Sequence, residues 1–222
     1  MKEPSLRHSS YDPTYHELLS KVETRHFWFR ARNQVVAGVV RRLAADMPTG
    51  YRVLEIGCGT GNVLRVLQDV CANGTVVGAD LFLEGLRHAR QRTSAMLVQT
   101  DMHALPFGVP FHLIGLFDVL EHLPDDRQAL RDLHGLLDDD GRLVLTVPAH
   151  PSLWSYFDEA SYHCRRYDRL GLQRKLHDAG YRVEQLTYFM ASILPLVWLG
   201  RGLRARLSRG PNRDTVRMVN SA

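Results

Sequence analysis

The stretch Val53-Leu-Glu-Ile-Gly-Cys-Gly-Thr-Gly61 decides the fold. A short apolar run ends in three glycines spaced two apart, after which Val63, Leu64, Val66, Leu67 and Val70 take up a helical rhythm. The pattern predicts a strand, a glycine loop and a helix. Gly57, Gly59 and Gly61 permit a tight turn with positive φ and let a ligand approach the backbone just before the helix. Glu55 stands two residues ahead of the first glycine, where a carboxylate would repel a pyrophosphate and attract an ammonium or a sulfonium. Asn62 occupies the place where a dinucleotide fingerprint has its third glycine. Asp80 follows nineteen residues after Gly61, at the end of the next apolar run, placed to accept hydrogen bonds from a ribose diol. The expected ligand is cationic and carries a ribose.

Outward from that loop the chain keeps alternating. Strands are expected at Arg52–Ile56, Thr75–Asp80, Met96–Gln99, Phe111–Phe117 and Arg142–Val147, with a sixth at Arg182–Phe189. Helices are expected over residues 13–44, Leu83–Arg92 and Pro124–Leu137, and another is capped by Asp168 and ends before Gly180. Asp138-Asp-Asp-Gly141 reads as a turn, and no seventh strand follows Phe189. Near-continuous apolar strands alternating with helices mean a mostly parallel sheet covered on both faces, a doubly wound, Rossmann-like α/β fold. Its ligands bind outside the carboxyl ends of the strands, where strand order reverses. The division expected is an N-terminal helical cap over 1–47, a ligand-binding domain over 48–190 and an amphipathic basic tail over 191–222.

The 222 residues are 45% hydrophobic and 23% charged, which excludes a disordered or low-complexity function. Three cysteines, Cys58, Cys71 and Cys164, form no CxxC pair, so neither a disulfide framework nor a thiolate zinc site is expected. The formal charge of +4 is unevenly placed. Six arginines from Arg201 onward face a single acid, Asp214, so the body before them is close to neutral. That distribution argues against a nucleic-acid partner. No signal peptide and no apolar run of spanning length are read, which points to a cytoplasmic location.

With these residues the sequence resembles the class I S-adenosylmethionine-dependent methyltransferases over about residues 48–190. The resemblance implies S-adenosylmethionine as cofactor, with Glu55, Gly57, Gly59 and Gly61 beside its methionyl part and Asp80 and Leu81 at the ribose and adenine edge. It further implies Asp101 and Met102 at the adenine, and Phe117 with Asp118 as the wall facing the sulfonium. The segment Arg25-His-Phe-Trp-Phe-Arg-Ala-Arg32 reads either as an aromatic stripe packing a helix onto the sheet or as a lid in which His26, Trp28 and Arg32 exclude water. Similar segments precede the glycine loop in one bacterial branch of these enzymes.

Asp118-Val-Leu-Glu-His122 is the expected catalytic group. Its plain alternative is helix-start chemistry, with acids complementing a dipole. In the functional reading Asp118, Glu121 and His122 act on the acceptor, and His122 is a base candidate for a hydroxyl nucleophile. The string also resembles the ExxEH motif of metal-assisted O-methyltransferases, such as those of ubiquinone biosynthesis. That likeness implies a divalent ion at Asp118, Glu121, His122 and His163, although Asp118 is one methylene shorter than the motif's Glu. The working expectation assigns no metal. Tyr156, Asp158, His163, Arg165, Arg166 and Tyr167 are expected on the acceptor side, where two adjacent arginines suggest an anionic group or a solvated face. Tyr188–Gly200 carries no charge and precedes the arginines, so residues 190–209 either complete the core or lie at the inner face of a membrane. The expected activity is methyl transfer to an oxygen nucleophile on a small, lipid-linked or quinone-like acceptor. Its rivals are a nicotinamide-dependent oxidoreductase and a non-catalytic cofactor-binding module that docks at a membrane or a partner.

Overall fold

A computed structural model describes residues 17, 20–189 and 191. By contact density the chain forms two compact units, residues 1–186 and 187–222. The described residues belong almost wholly to the first unit, and the basic tail and its candidate membrane segment at 190–209 lie almost entirely outside them.

Five parallel strands, β1 (Arg52–Ile56), β2 (Thr75–Asp80), β3 (Met96–Gln99), β4 (Phe111–Phe117) and β5 (Leu137–Thr146), form one sheet in the order β3-β2-β1-β4-β5. The helices are α1 (Phe27–Ala45), α2 (Asn62–Val70), α3 (Leu83–Arg90), α4 (Asp126–His134), α5 (Tyr156–Ala160) and α6 (Arg169–Asp178). This is the expected doubly wound architecture. The chain moves from β1 outward through β2 to β3, then returns to place β4 on the other side of β1. Strand order therefore reverses between β1 and β4, and their carboxyl ends open a crevice.

Period-two alternation divides the core between the two faces of the sheet. Leu54, Ile56, Val77, Ala79, Ile114 and Leu116 pack on the face covered by Ala129, Leu130 and Leu133 of α4 and by Leu172 and Leu176 of α6. Val53, Val76, Leu113 and Phe117 pack on the other, with Val36 and Val40 of α1 and Val63, Leu64 and Leu67 of α2. Both faces being apolar, the strands read as continuous hydrophobic runs.

Three boundaries differ from expectation, each for a local reason. The N-terminal helix does not run unbroken from 13 to 44, because His26 interrupts it and caps α1, its Nδ1 accepting from the Trp28 amide at 3.3 Å. Asp125, not Pro124, begins α4, its carboxylate accepting from the Gln128 amide at 2.9 Å. That helix stops at His134, because Leu137 already pairs with Phe111 in the sheet. The acidic turn is then a bulge within β5, since Leu113 next pairs with Arg142, three residues further along than a regular ladder allows. Asp168 does cap α6, accepting from the Gly171 amide at 2.7 Å.

The sixth strand is not formed among the described residues. Tyr181, Val183 and Leu186 pack against the α4 face of the core, but their spacing of two and then three breaks strand alternation. The segment is held by side chains instead, with the Tyr181 hydroxyl donating to Leu130 O at 3.0 Å and Arg142 3.1 Å from Glu184.

The glycine loop tolerates a side chain differently at each position. Gly61 has φ +78°, and an added Cβ would stand 2.9 Å from the Ala89 backbone. Gly61→Val therefore combines a left-handed β-branched residue with overpacking and should cost about 3 kcal/mol or more. Urea unfolding reads this directly; an unchanged midpoint would mean that the α2–α3 approach does not depend on that glycine.

Candidate active site

Gly57, Gly59 and Gly61 all lie at positive φ. The Gly57 and Cys58 amides donate to Ala79 O at 2.8 and 3.1 Å, which ties the loop to the end of β2. A Cβ on Gly57 would meet Val119 at 2.4 Å, whereas one on Gly59 would meet nothing within 4 Å. Gly59 therefore faces open space at the carboxyl edge, and the other two glycines are packed. Asp80 closes the loop from the neighbouring strand, its Oδ2 accepting from the Gly59 amide at 2.7 Å and its Oδ1 from the Phe82 amide at 2.8 Å.

Glu55, at the end of β1, is 2% exposed, and its Oε2 meets no hydrogen-bond partner among the described residues. Burial pushes its carboxyl well above the usual carboxylate range; the Arg32 guanidinium pulls the other way, and Asp80 and Glu23 add to the rise. A buried carboxylate with an unmet oxygen suits a cation. Arg32 reaches over from α1 and pairs with Asp118 Oδ2 at 2.6 Å, while Asp118 Oδ1 accepts from the Thr146 hydroxyl at 2.9 Å. Asp118 sits at φ +56°, immediately after β4.

Beyond it, a 3₁₀ turn over Leu120–His122 sets Glu121 inward at 1% exposure, again with Oε2 unpartnered. Burial and the Asp118 charge push the Glu121 carboxyl well above its ordinary value, against the pull of Arg166 and Arg32. His122 is pushed down to about 4, first by burial and then by His163. The two imidazoles meet edge to face with centroids 4.8 Å apart. His163 Nδ1 lies 3.1 Å from Asp158 Oδ1, and Asp158 is wholly buried.

A Glu121 oxygen and one ring nitrogen from each of His122 and His163 lie within 4.8 Å of one another, close enough to share a divalent ion. Asp118 is not in that group, its oxygens being engaged by Arg32 and Thr146. One carboxylate and two imidazoles do not make the oxygen-rich octahedron that Mg²⁺ demands.

The remaining expected residues are placed as follows. Asp101 caps the 3₁₀ turn Met102–Ala104, its Oδ1 accepting from the His103 amide at 2.9 Å, and Met102 is buried in the α4-side core. Phe117 packs in the opposite core with Val36 and Val40. Leu81 is half-buried, its carbonyl accepting from Gln99 at 3.1 Å, and Trp28 is half-buried in the first turn of α1. The adjacent arginines are occupied by acids of the protein. Arg165 pairs with Asp126 at 2.8 Å and Arg166 with Asp158 at 2.6 Å, so neither supports the expected anionic substrate group. Tyr167 is buried, its hydroxyl 2.9 Å from Asp126 and 3.2 Å from Leu120 O.

Thr146, Ser155 and the cluster of Glu23, Arg92 and Thr60 went unforeseen. Glu23 accepts from both Thr60 of the glycine loop and Arg92. The available signal was a polar residue ending an apolar strand for Thr146, and an acid one turn before the aromatic segment for Glu23.

A family model described as a methyltransferase domain matches residues 28–186. A 2-phytyl-1,4-naphtoquinone methyltransferase of Thermosynechococcus vestitus is 34% identical over 122 residues, covering 51% of this chain and 54% of that protein. A protein of Mycobacterium tuberculosis described as an S-adenosylmethionine-dependent methyltransferase is 28% identical over 72% of this chain and 57% of its own length. The chain thus spans about half the length of such curated relatives. A solved Bacillus halodurans structure assigned as a methyltransferase superposes with a TM-score of 0.59 at 19% identity, over 79% of this chain and 85% of that one, a likeness of fold.

His122 gives the site a signature in stability. Its folded pKa lies near 4, below the unfolded value near ~6.5, so the unfolded chain takes up the proton first as pH falls. The contribution is fully present above pH 6.5 and is lost between there and pH 4, a difference on the order of 3 kcal/mol. His122→Asn should flatten the urea-midpoint profile in that window; a variant profile parallel to the wild type would contradict the placement.

Proposed function

This chain belongs to the methyltransferase-domain family, and from that premise we propose that it moves the methyl group of S-adenosylmethionine to an oxygen nucleophile on a small, lipid-linked or quinone-like acceptor. The observation that carries the cofactor reading is the unpartnered, buried Glu55 oxygen beside a glycine loop whose middle member faces open space. A cationic ligand answers that carboxylate and a pyrophosphate does not, which sets the nicotinamide reading aside on charge.

In this proposal Glu55 meets the cationic methionyl end and Gly59 lets it approach. Asp80 and Leu81 hold the ribose side, and Asp101 and Met102 border the adenine. Trp28 and Arg32 cover the site from α1, and Phe117 with Asp118 bounds it toward the acceptor. Bound S-adenosylmethionine would supply a methyl group on a positively charged sulfur. The protein's task is then to align the acceptor oxygen in line with that group, exclude water and take up the acceptor's proton. In this reading Glu121 and His122 border the path of that proton.

Support for an apolar acceptor comes from the segment after β5. Trp154, Tyr156, Phe157 and Tyr162 are each 41–57% exposed within nine residues, immediately before His163. Such a run offers flat apolar surface to a ring or a lipid chain. The naphtoquinone named for one relative is of the same chemical kind. A cytoplasmic protein touching the inner membrane face through residues 190–209 would meet such an acceptor where it resides. No described helix is long and apolar enough to cross a membrane.

Calorimetry should give a micromolar dissociation constant for S-adenosylmethionine. Glu55→Gln should weaken it at least tenfold while raising the urea midpoint of the unliganded protein at pH 7.5, because a carboxyl raised by burial costs the fold stability above its unfolded pKa and the amide does not titrate. Equal affinity in the variant, or tighter binding of NAD, would defeat the cofactor reading. For the acceptor, tritiated methyl should pass to hydroxylated naphthoquinols in preference to amino sugars, and label found on nitrogen would reverse that choice. Charge reversal of Arg201, Arg204 and Arg206 should abolish flotation with anionic liposomes; undiminished flotation would remove the tail from the proposal.

A further inference from the structure

We infer that His163, oriented by the buried Asp158 carboxylate, is the group that accepts the acceptor's proton, and that His122 is its neutral neighbour. The inference rests on the methyl-transfer reading and names a further catalytic residue for it.

Asp158 is fully buried and saturated. Its Oδ2 accepts from the Ser155 amide at 2.8 Å and the Ser155 hydroxyl at 3.0 Å, and its Oδ1 accepts from Arg166 Nε at 2.6 Å and faces His163 Nδ1 at 3.1 Å. Burial alone would raise this carboxyl, but the bonds from Arg166 and His163 hold it below its usual value, so it is ionised. An ionised carboxylate has no proton to donate. The hydrogen between the two groups therefore sits on His163 Nδ1, which leaves the lone pair of the neutral ring on Nε2. The same carboxylate stabilises the imidazolium that forms when Nε2 takes a proton, as an orienting acid does for a base elsewhere in enzymology.

The backbone locks this pair against the crevice. The Cys164 amide donates to Glu121 O at 2.7 Å, and Cys164 Sγ lies 3.5 Å from His122 O. His163 is thereby held beside Glu121 and His122, with its side chain 11% exposed. His122 lacks such an orienting acid among the described residues. Burial and the neighbouring ring weaken it as a base. The charged and titratable groups facing His163 are Asp158 and Arg166 from its own side of the crevice, and Glu121 and His122 from the turn after β4.

The step balances without a co-reactant. The acceptor O–H bond breaks and its proton goes to His163 Nε2. Its electron pair forms the new O–CH₃ bond, and the S–CH₃ bond breaks with its pair retained by the sulfur, which becomes a neutral thioether. Water later removes the proton from His163.

The test begins with the wild-type protein and needs no acceptor. Long-range ¹H–¹⁵N spectra of the imidazoles should show neutral His163 protonated at Nδ1, and Asp158→Asn should erase that preference. A ring protonated at Nε2 overturns the inference. Calorimetry with S-adenosylmethionine on the same samples separates this outcome from failure of the methyl-transfer reading, which would appear as absent binding with the tautomer intact. With hydroxylated naphthoquinol as the probe, His163→Asn should lower kcat by roughly 10²–10⁴-fold with cofactor affinity retained. Asp158→Asn, a positioning change, should lower kcat while leaving KM for the naphthoquinol unchanged. His122→Asn should cost less than His163→Asn; the reverse order overturns the assignment. So does activity abolished by a chelator and restored by a divalent metal alone, since the imidazoles would then be ligands and not a base.

Discussion

The site depends on three carboxylates gathered at one edge of the sheet, two of them buried and the third half-exposed. Glu55, Asp118 and Glu121 stand at successive ends of the two central strands and the turn that follows, and Arg32 is the cation that acts on all three. Only Asp118 pairs with it directly, at 2.6 Å. The other two keep a buried oxygen unmet among the described residues. An arrangement of this kind is costly in an isolated protein and becomes favourable when a cation arrives. Part of the free energy of cofactor binding is thus set aside during folding, as desolvated carboxyl groups.

Much of the fold was legible because parallel α/β topology writes itself as alternation. Strands with both faces buried appear as unbroken apolar runs, and the glycines between β1 and α2 admit few explanations. What misled were places where one residue type serves two geometries. Pro124 suits the first turn of a helix, yet Asp125 caps α4 because its side chain reaches the Gln128 amide. Asp138-Asp-Asp-Gly141 does turn the chain, but within a strand that resumes its pairing afterwards. Tyr181, Val183 and Leu186 are core residues as expected, and nothing in their composition reveals that no strand ladder joins them to β5.

The site was legible in proportion to how local its residues are. The glycine loop and Glu55 lie within seven residues, and Asp80 sits at a fixed offset imposed by one helix and one strand. The acceptor side is assembled from far-separated segments, so its partnerships could not be read. Arg165 and Arg166 looked available to a substrate, whereas Asp126 and Asp158 occupy them. A lone arginine in a sequence carries no sign of whether an acid waits for it forty residues away. The same ignorance hid the difference between His122 and His163, which are both simply histidines until one of them is seen to touch a buried carboxylate.

The position of Arg32 also bears on where the functional unit begins. A boundary at residue 47 separates the helical cap from the sheet on topological grounds, yet the cap supplies the guanidinium that Asp118 needs, 86 residues away in sequence. Removing α1 would leave the Asp118 side chain with the Thr146 hydroxyl alone, strip the Arg32 countercharge from Glu55 and leave Glu121 with Arg166. Three acids would then share the crevice with no described cation so placed against all of them, and their mutual repulsion would drive protonation or local opening. The cap is therefore part of the electrostatic structure of the site, and its aromatic stripe fastens that charge in place: Phe29 lies 5.3 Å from the Arg32 guanidinium, and Val36 and Val40 seat the helix on the sheet. Packing and chemistry are carried by one face of the helix, since Phe29, Arg32, Val36 and Val40 are spaced three and four apart, which is why the same segment reads equally well as a stripe and as a lid.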